Sequence, residues 1–211
     1  MESLNMKPEE IETESFRIID AEAGDHGWPD PEWQIIRRVI HTSADFEYAR
    51  TMLFSEGAVA QAIAAIKDGA GIYTDTNMAL AGISKPRLLP FGCEANCHVG
   101  DSDVGALAQR EGVTRSVTAM RKAIRNRNNR IFVIGNAPTA LFELLRLVQD
   151  KQILPALVIG MPVGFVGAEE SKRELAASQF GFPFITNVGR KGGSNVAAAI
   201  VNALAILAKQ A

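Results

Sequence analysis

Three apolar runs in the second half of the chain end alike: each passes into a glycine-bearing loop and then into a helical stretch. The runs are residues 131–134, 156–159 and 183–188. The loops after them are Gly135-Asn136-Ala137-Pro138-Thr139, Gly160-Met161-Pro162-Val163-Gly164 and Gly189-Arg190-Lys191-Gly192-Gly193-Ser194. Strands too apolar to alternate must be covered on both faces, and intervening helices supply that cover as crossovers. This pattern dictates an α/β class with a mainly parallel sheet.

The same alternation holds from residue 57 onward. Helices are predicted over 58–68, 104–110, 114–126, 137–149, 169–179 and 194–208, with a further strand over 72–76 and an extended segment over 91–99. That amounts to about five strands flanked by helices. Ahead of them lies a helical N-terminal segment. One helix over 8–23 stops at Gly24, and a second runs to His41 from Asp30-Pro31, read as an N-cap and a proline at the first helical position. No repeat, low-complexity stretch or linker interrupts residues 1–211, so a single domain is expected.

Charge excludes some partners. With 22 basic and 24 acidic residues the formal charge is −2, which invites neither nucleic acid nor an anionic membrane surface. The acidic N-terminus lacks an apolar core of the signal-peptide kind. The longest apolar run, Val196 to Ala208, is broken by Asn202 and is shorter than the ~20 residues of a membrane span. A cytoplasmic location is the expectation. Two cysteines exclude a disulfide scaffold. The last helix is apolar nearly all round and must be buried in the core or against a partner copy.

In open parallel sheets, ligands bind beyond the carboxyl ends of the strands, where helix N-termini offer unpaired N–H groups to anions. Three such loops suit a ligand with several negative groups, with Gly135, Asn136, Thr139, Gly160, Gly164, Gly189, Arg190, Gly193 and Ser194 as candidate contacts. The glycines serve equally well as plain turn residues. None of the loops is GxGxxG or GxxxxGK[ST], so neither a dinucleotide nor ATP is indicated, and no methyltransferase-type glycine loop is present.

Arginines and lysines crowd residues 115–130 without an intervening acid. Most read as a solvated surface. Arg115 stands at a helix start, where the dipole disfavours a cation, and is therefore a candidate for a ligand carboxylate. Cys93-Glu94-Ala95-Asn96-Cys97-His98 fits neither haem attachment nor zinc, and reads as two thiols sharing a strand face, with His98 opposite. His26 reads as a surface turn residue. His41 ends an apolar helical face at a helix–helix junction, where a ring nitrogen faces either a cleft or only the helix dipole.

Six segments taken together resemble the precorrin-8X methylmutases of cobalamin biosynthesis. They are His41-Thr42-Ser43-Ala44-Asp45-Phe46, Thr74-Asp75-Thr76-Asn77-Met78, Thr114-Arg115-Ser116, the stretch 134–141, Gly160-Met161-Pro162-Val163-Gly164-Phe165 and Gly189-Arg190-Lys191-Gly192-Gly193-Ser194. The first two look more like the cobalt-precorrin-8 branch. The resemblance implies an isomerase that moves a methyl group from carbon 11 to carbon 12 of the corrin ring by a [1,5]-sigmatropic shift, giving hydrogenobyrinate or cobyrinate. It further implies His41 as the catalytic residue, Ser15 and Arg115 as substrate-binding residues, a tetrapyrrole substrate, no cofactor or metal, and a homodimer. Two other readings share these loops. A non-catalytic corrinoid carrier would not need His41, and an α/β enzyme acting on a smaller anionic metabolite would need only one or two of the loops.

Overall fold

A computed structural model of the protein describes residues 7–211. Helices α1 (Pro8–Ala23) and α2 (Asp30–Ser43) form the N-terminal segment. They are tied together at Asp20, which accepts hydrogen bonds from Trp33 Nε1 at 2.9 Å and Arg37 at 2.8 Å. A short α3 (Tyr48–Thr51) leads into β1 (Met52–Phe54) and α4 (Ala58–Lys67). Then come β2 (Gly71–Thr74), α5 (Asn77–Gly82), α6 (Lys85–Leu88), β3 (Ala95–Asn96), α7 (Ser102–Glu111) and α8 (Arg115–Ala123). The chain closes with β4 (Asn129–Ile134), α9 (Pro138–Gln149), β5 (Leu157–Gly160), α10 (Ala168–Ala177), β6 (Phe184–Asn187) and α11 (Ser194–Gln210).

One six-stranded sheet runs in the order β1-β6-β5-β4-β2-β3. Every pairing is parallel except β1 with β6, in which Met52 lies opposite Asn187. The expected count of about five therefore becomes six. β1 has three residues and no alternating pattern, and pairing with β6 rather than local sequence makes it a strand. The extended segment expected over 91–99 shrinks to β3, because Leu89–Phe91 closes into a 3-10 turn ahead of it.

Strand residues point alternately to opposite faces, so the sheet divides the core in two. Ile131, Val133, Leu157, Ile159 and Ile185 face a layer made with α2, α4 and α11. Phe132, Ile134 and Val158 face the other, made with α8, α9 and Leu175 of α10. Helix α11 lies against α2, α4 and α5, and its apolar residues are buried within the chain. The core, not a partner copy, therefore accounts for its all-round apolar character. Among the described residues no helix is long and apolar enough to cross a membrane.

Candidate active site

The strand order reverses direction once, between β2 and β4, because the chain leaves β2 for the edge strand β3 and returns on its other side. Asp75, the residue after β2, occupies this crossing point. Its carboxylate is buried and accepts the backbone N–H groups of Gly135 at 2.8 Å, Asn136 at 3.0 Å and Ala137 at 2.7 Å. Burial pushes its pKa up, while the three amides pull the other way by favouring the charged form. These amides were expected to hold an external anion; the protein's own carboxylate takes them instead. In the sequence Asp75 stands out only as part of Thr74-Asp75-Thr76-Asn77-Met78. An acid at the end of a buried apolar strand needs a partner, and that was the available signal.

The loop over 135–139 is thus shaped from beneath and presents the exposed side chains of Asn136 and Thr139. Gly135 is buried where β4 meets the start of α11: a Cβ there would lie 2.7 Å from Ser194 Cα, so no larger residue fits. Ser194 is itself buried, its hydroxyl 2.8 Å from that of Thr76, the N-cap of α5. Gly160 is buried as the last residue of β5, and its carbonyl accepts the Thr186 hydroxyl. Gly135, Gly160, Gly193 and Ser194 therefore build the platform, and Gly164, Gly189 and the exposed Arg190 lie nearer solvent.

Two main-chain hydrogen bonds zip the second loop to the third: Gly193 N donates to Met161 O at 2.9 Å, and Gly164 N to Arg190 O at 3.2 Å. The third loop is also joined to the turn after α2. Lys191 Nζ pairs with Asp45 and, at 2.8 Å, with Glu47, while Asn195 Nδ2 donates to Thr42 O at 3.4 Å. The Lys191 ion pair holds the Asp45 carboxyl below the usual range. This junction places the exposed His41, in the last turn of α2, beside the start of α11 and hence at the carboxyl edge of the sheet.

The His41 ring lies edge-on to Phe16 of α1, with centroids 5.3 Å apart. Arg37 and Arg38 cover the Phe16 ring at 4.5 and 5.0 Å. Ser15, half-buried, precedes Phe16 and sits one turn after Glu12. A hydrogen bond from Arg38 holds the Glu12 carboxyl below the usual range, with smaller electrostatic pulls from Arg87 and His41.

Arg115 opens α8 on the opposite helical layer. The Thr114 hydroxyl caps α8 at Val117 N and lies 3.1 Å from the hydroxyl of Thr139, which brings this helix start to the same carboxyl edge. Lower down, Arg121 binds Glu143 of α9 at 2.7 Å and fixes the two helices together. The Arg115 guanidinium lies over Gly105, where a Cβ would come within 2.8 Å of Nη2. Arg115 is exposed and has no ion pair among the described residues. His41 and Arg115 consequently stand on helices packed against opposite faces of the sheet, α2 on one and α8 on the other.

The remaining candidates go elsewhere. Cys93 is buried with its thiol donating to Ile66 O at 3.2 Å, and Cys97 is half-buried; burial pushes both thiols up. Neither lies within β3, so they do not share a strand face, and His98 pairs instead with Asp101 at 3.1 Å. His26 is no free surface residue, since it stacks on Trp33 at 3.7 Å.

The family described as precorrin-8X methylmutase matches residues 10–207. A cobalt-precorrin-8 methylmutase of Priestia megaterium is 48% identical over 205 residues, covering 97% of this chain and 90% of the relative. One from Salmonella typhimurium is 47% identical, covering 94% of each. A precorrin-8X methylmutase of Pseudomonas aeruginosa is 43% identical, covering 92% of this chain and 93% of the relative. The crystal structure of a precorrin-8X methyl mutase from Thermus thermophilus superposes with a TM-score of 0.86 at 41% identity, covering 95% of this chain and 98% of that one.

Proposed function

The chain belongs to the precorrin-8X methylmutase family and is an isomerase of cobalamin biosynthesis, and from that premise we propose that His41 carries the chemistry at the carboxyl edge of the sheet. The substrate is cobalt-precorrin-8, and the reaction moves the methyl group already on the ring from carbon 11 to carbon 12. The carbon–carbon bond at carbon 11 breaks as the one at carbon 12 forms, with the conjugated electrons redistributed around the ring. No external donor takes part.

His41 assists by donating a proton or hydrogen bond to a pyrrole-ring nitrogen, which draws electron density from the migrating bond. Arg115 and Arg190, with Ser15, Asn136 and Thr139, hold the acidic groups of the rim. A formal charge of −2 is no obstacle, because donors placed locally do this work. The observation that carries this reading is the placement of His41. Among the described residues it is the one exposed histidine, its ring edge-on to Phe16, and it lies beside the start of α11. The enzyme works in the cytoplasm as a homodimer, for which the exposed Phe165 and Val166 beside the site offer apolar surface.

His41→Ala tests the reading. Single-turnover absorbance with saturating cobalt-precorrin-8 should show turnover abolished, while titration with the corrinoid product should show tight binding retained. A wild-type rate in this variant would refute the catalytic role. Parallel incubation with metal-free precorrin-8 decides the branch, and preference for that substrate would overturn the cobalt assignment.

A further inference from the structure

Helix α10 carries Glu169-Glu170-Ser171-Lys172-Arg173-Glu174, a stretch that reads as a solvated helical surface. Lys172 departs from it, being only 2% exposed. Its ammonium lies beneath the loop after β6, donating to Lys191 O at 2.6 Å and to Asn187 Oδ1 at 3.1 Å. Asn187 is buried as well, and its Nδ2 donates to Val188 O at 3.1 Å and to Lys191 O at 3.0 Å. Two buried side chains thus converge on one carbonyl of the loop.

Among the described residues no carboxylate hydrogen-bonds this ammonium; Glu169 acts on it only at a distance, and burial drives its pKa down to about 8. Taking a cation out of water costs several kcal/mol, and a leucine or methionine would fill the same volume without that cost. The ammonium must be retained for what it holds. What it holds is a loop with glycines at 189, 192 and 193, whose backbone does not keep a shape of its own. Lys191 fixes the far side of this loop to Asp45 and Glu47, and the zipped amides fix its flank. Lys172 supplies the floor.

We propose that Lys172 is a positioning residue for the corrinoid, fixing the height and tilt of the loop over 188–192 so that Arg190 and the loop amides meet the rim carboxylates. This rests on reading that loop as one wall of the substrate site. A cavity of about 150 Å³, lined by Lys172 with Leu53, Ala176, Val188 and Gly189, adjoins the side chain and allows a direct test.

Lys172→Ala opens that cavity further, and Lys172→Met keeps its volume filled without the charge. In the full-length protein, amide hydrogen exchange over 188–192 should accelerate in both, with no corrinoid present. Affinity for the corrinoid product should fall by about tenfold, the equivalent of one charge-assisted hydrogen bond. Millimolar propylammonium should restore both readouts in Lys172→Ala, and propanol should not. Should Lys172→Ala prove too unstable to isolate, Lys172→Met carries the same exchange and affinity measurements. Unchanged exchange and affinity in a variant with only a lowered melting temperature would overturn the inference, since that is the signature of a merely structural lysine. Arg190→Ala, measured alongside, separates this from the reading beneath it. If Arg190→Ala binds weakly and the Lys172 variants bind normally, the inference fails and the loop keeps its role. Should the Lys172 variants alone bind weakly, the inference stands, with loop amides rather than Arg190 as the donors.

Discussion

Replacing Asp75 by asparagine isolates what a buried carboxylate does beneath the first loop. Oδ1 serves Gly135, and Oδ2 serves Asn136 and Ala137. Asparagine keeps one oxygen, which still accepts from Asn136 and Ala137. Its NH₂ then faces the Gly135 N–H, so one charge-assisted bond is lost and two donors oppose each other in a buried place. The lost bond and the stranded donor together amount to about 5 kcal/mol. Removing a charge that burial disfavours returns part of this, leaving a net loss of about 3 kcal/mol. For 211 residues this lowers the melting midpoint by about 6–12 °C, at ~2–4 °C per kcal/mol. Circular dichroism melts of the two proteins at pH 7 would measure it. A midpoint within about 1 °C of wild type would refute the claim that this carboxylate holds the loop.

Arg115→Ala should weaken product binding and lower the single-turnover rate through misplacement of the ring, without loss of stability; absorbance titration and a melt check both parts. Glu143 gives an acid dependence. Burial opposes its ionisation, but the hydrogen bonds and charges of Arg146 and Arg121 outweigh that and hold it below the usual range. A carboxyl whose folded pKa is depressed stabilises the protein above its unfolded value of about 4.3 and loses that contribution as pH falls through the folded one. Wild-type melting temperature should therefore drop more steeply between about pH 5 and pH 3 than that of Glu143→Gln. Finally, mass spectrometry should find substrate and product of equal mass, formed without S-adenosylmethionine; a gain of one methyl would contradict an internal shift.

Local patterning made most of this architecture legible. Residues 131–134 of β4 and 157–159 of β5 are apolar on both faces, β6 opens on the apolar Phe184 and Ile185, and the helices after them begin within one residue of expectation at Pro138, Ala168 and Ser194. β1 was not legible because three residues carry no period, and only the register with Asn187, Thr186 and Ile185 makes them a strand. The candidate site could be proposed in outline for a different reason. The loops, His41 and Arg115 lie at element ends, which sequence patterns mark. What escaped were the long-range pairings. Asp75 meets amides some sixty residues further on, and Lys172 sits among Glu170, Arg173 and Glu174, which do face water. The arginine cluster over 115–130 was read as solvated surface, yet Arg121, Lys122 and Arg130 each meet carboxylates from other elements. Nothing within three or four residues of any of these announces its partner.

The division of the core by the sheet gives the two sides of the site separate foundations. His41 stands on α2, seated in one apolar layer, and Arg115 on α8, seated in the other. The two sides are joined through the strands between them and, at the third loop, through Lys191, which meets Lys172 of α10 and the turn after α2. A core change beneath α8 or α9 should therefore shift the proposed carboxylate grip at Arg115 more than the proposed proton donor His41, and a change beneath α2 or α11 should do the reverse. On the proposed roles, grip and chemistry could thereby be adjusted separately by substitutions that never touch the substrate.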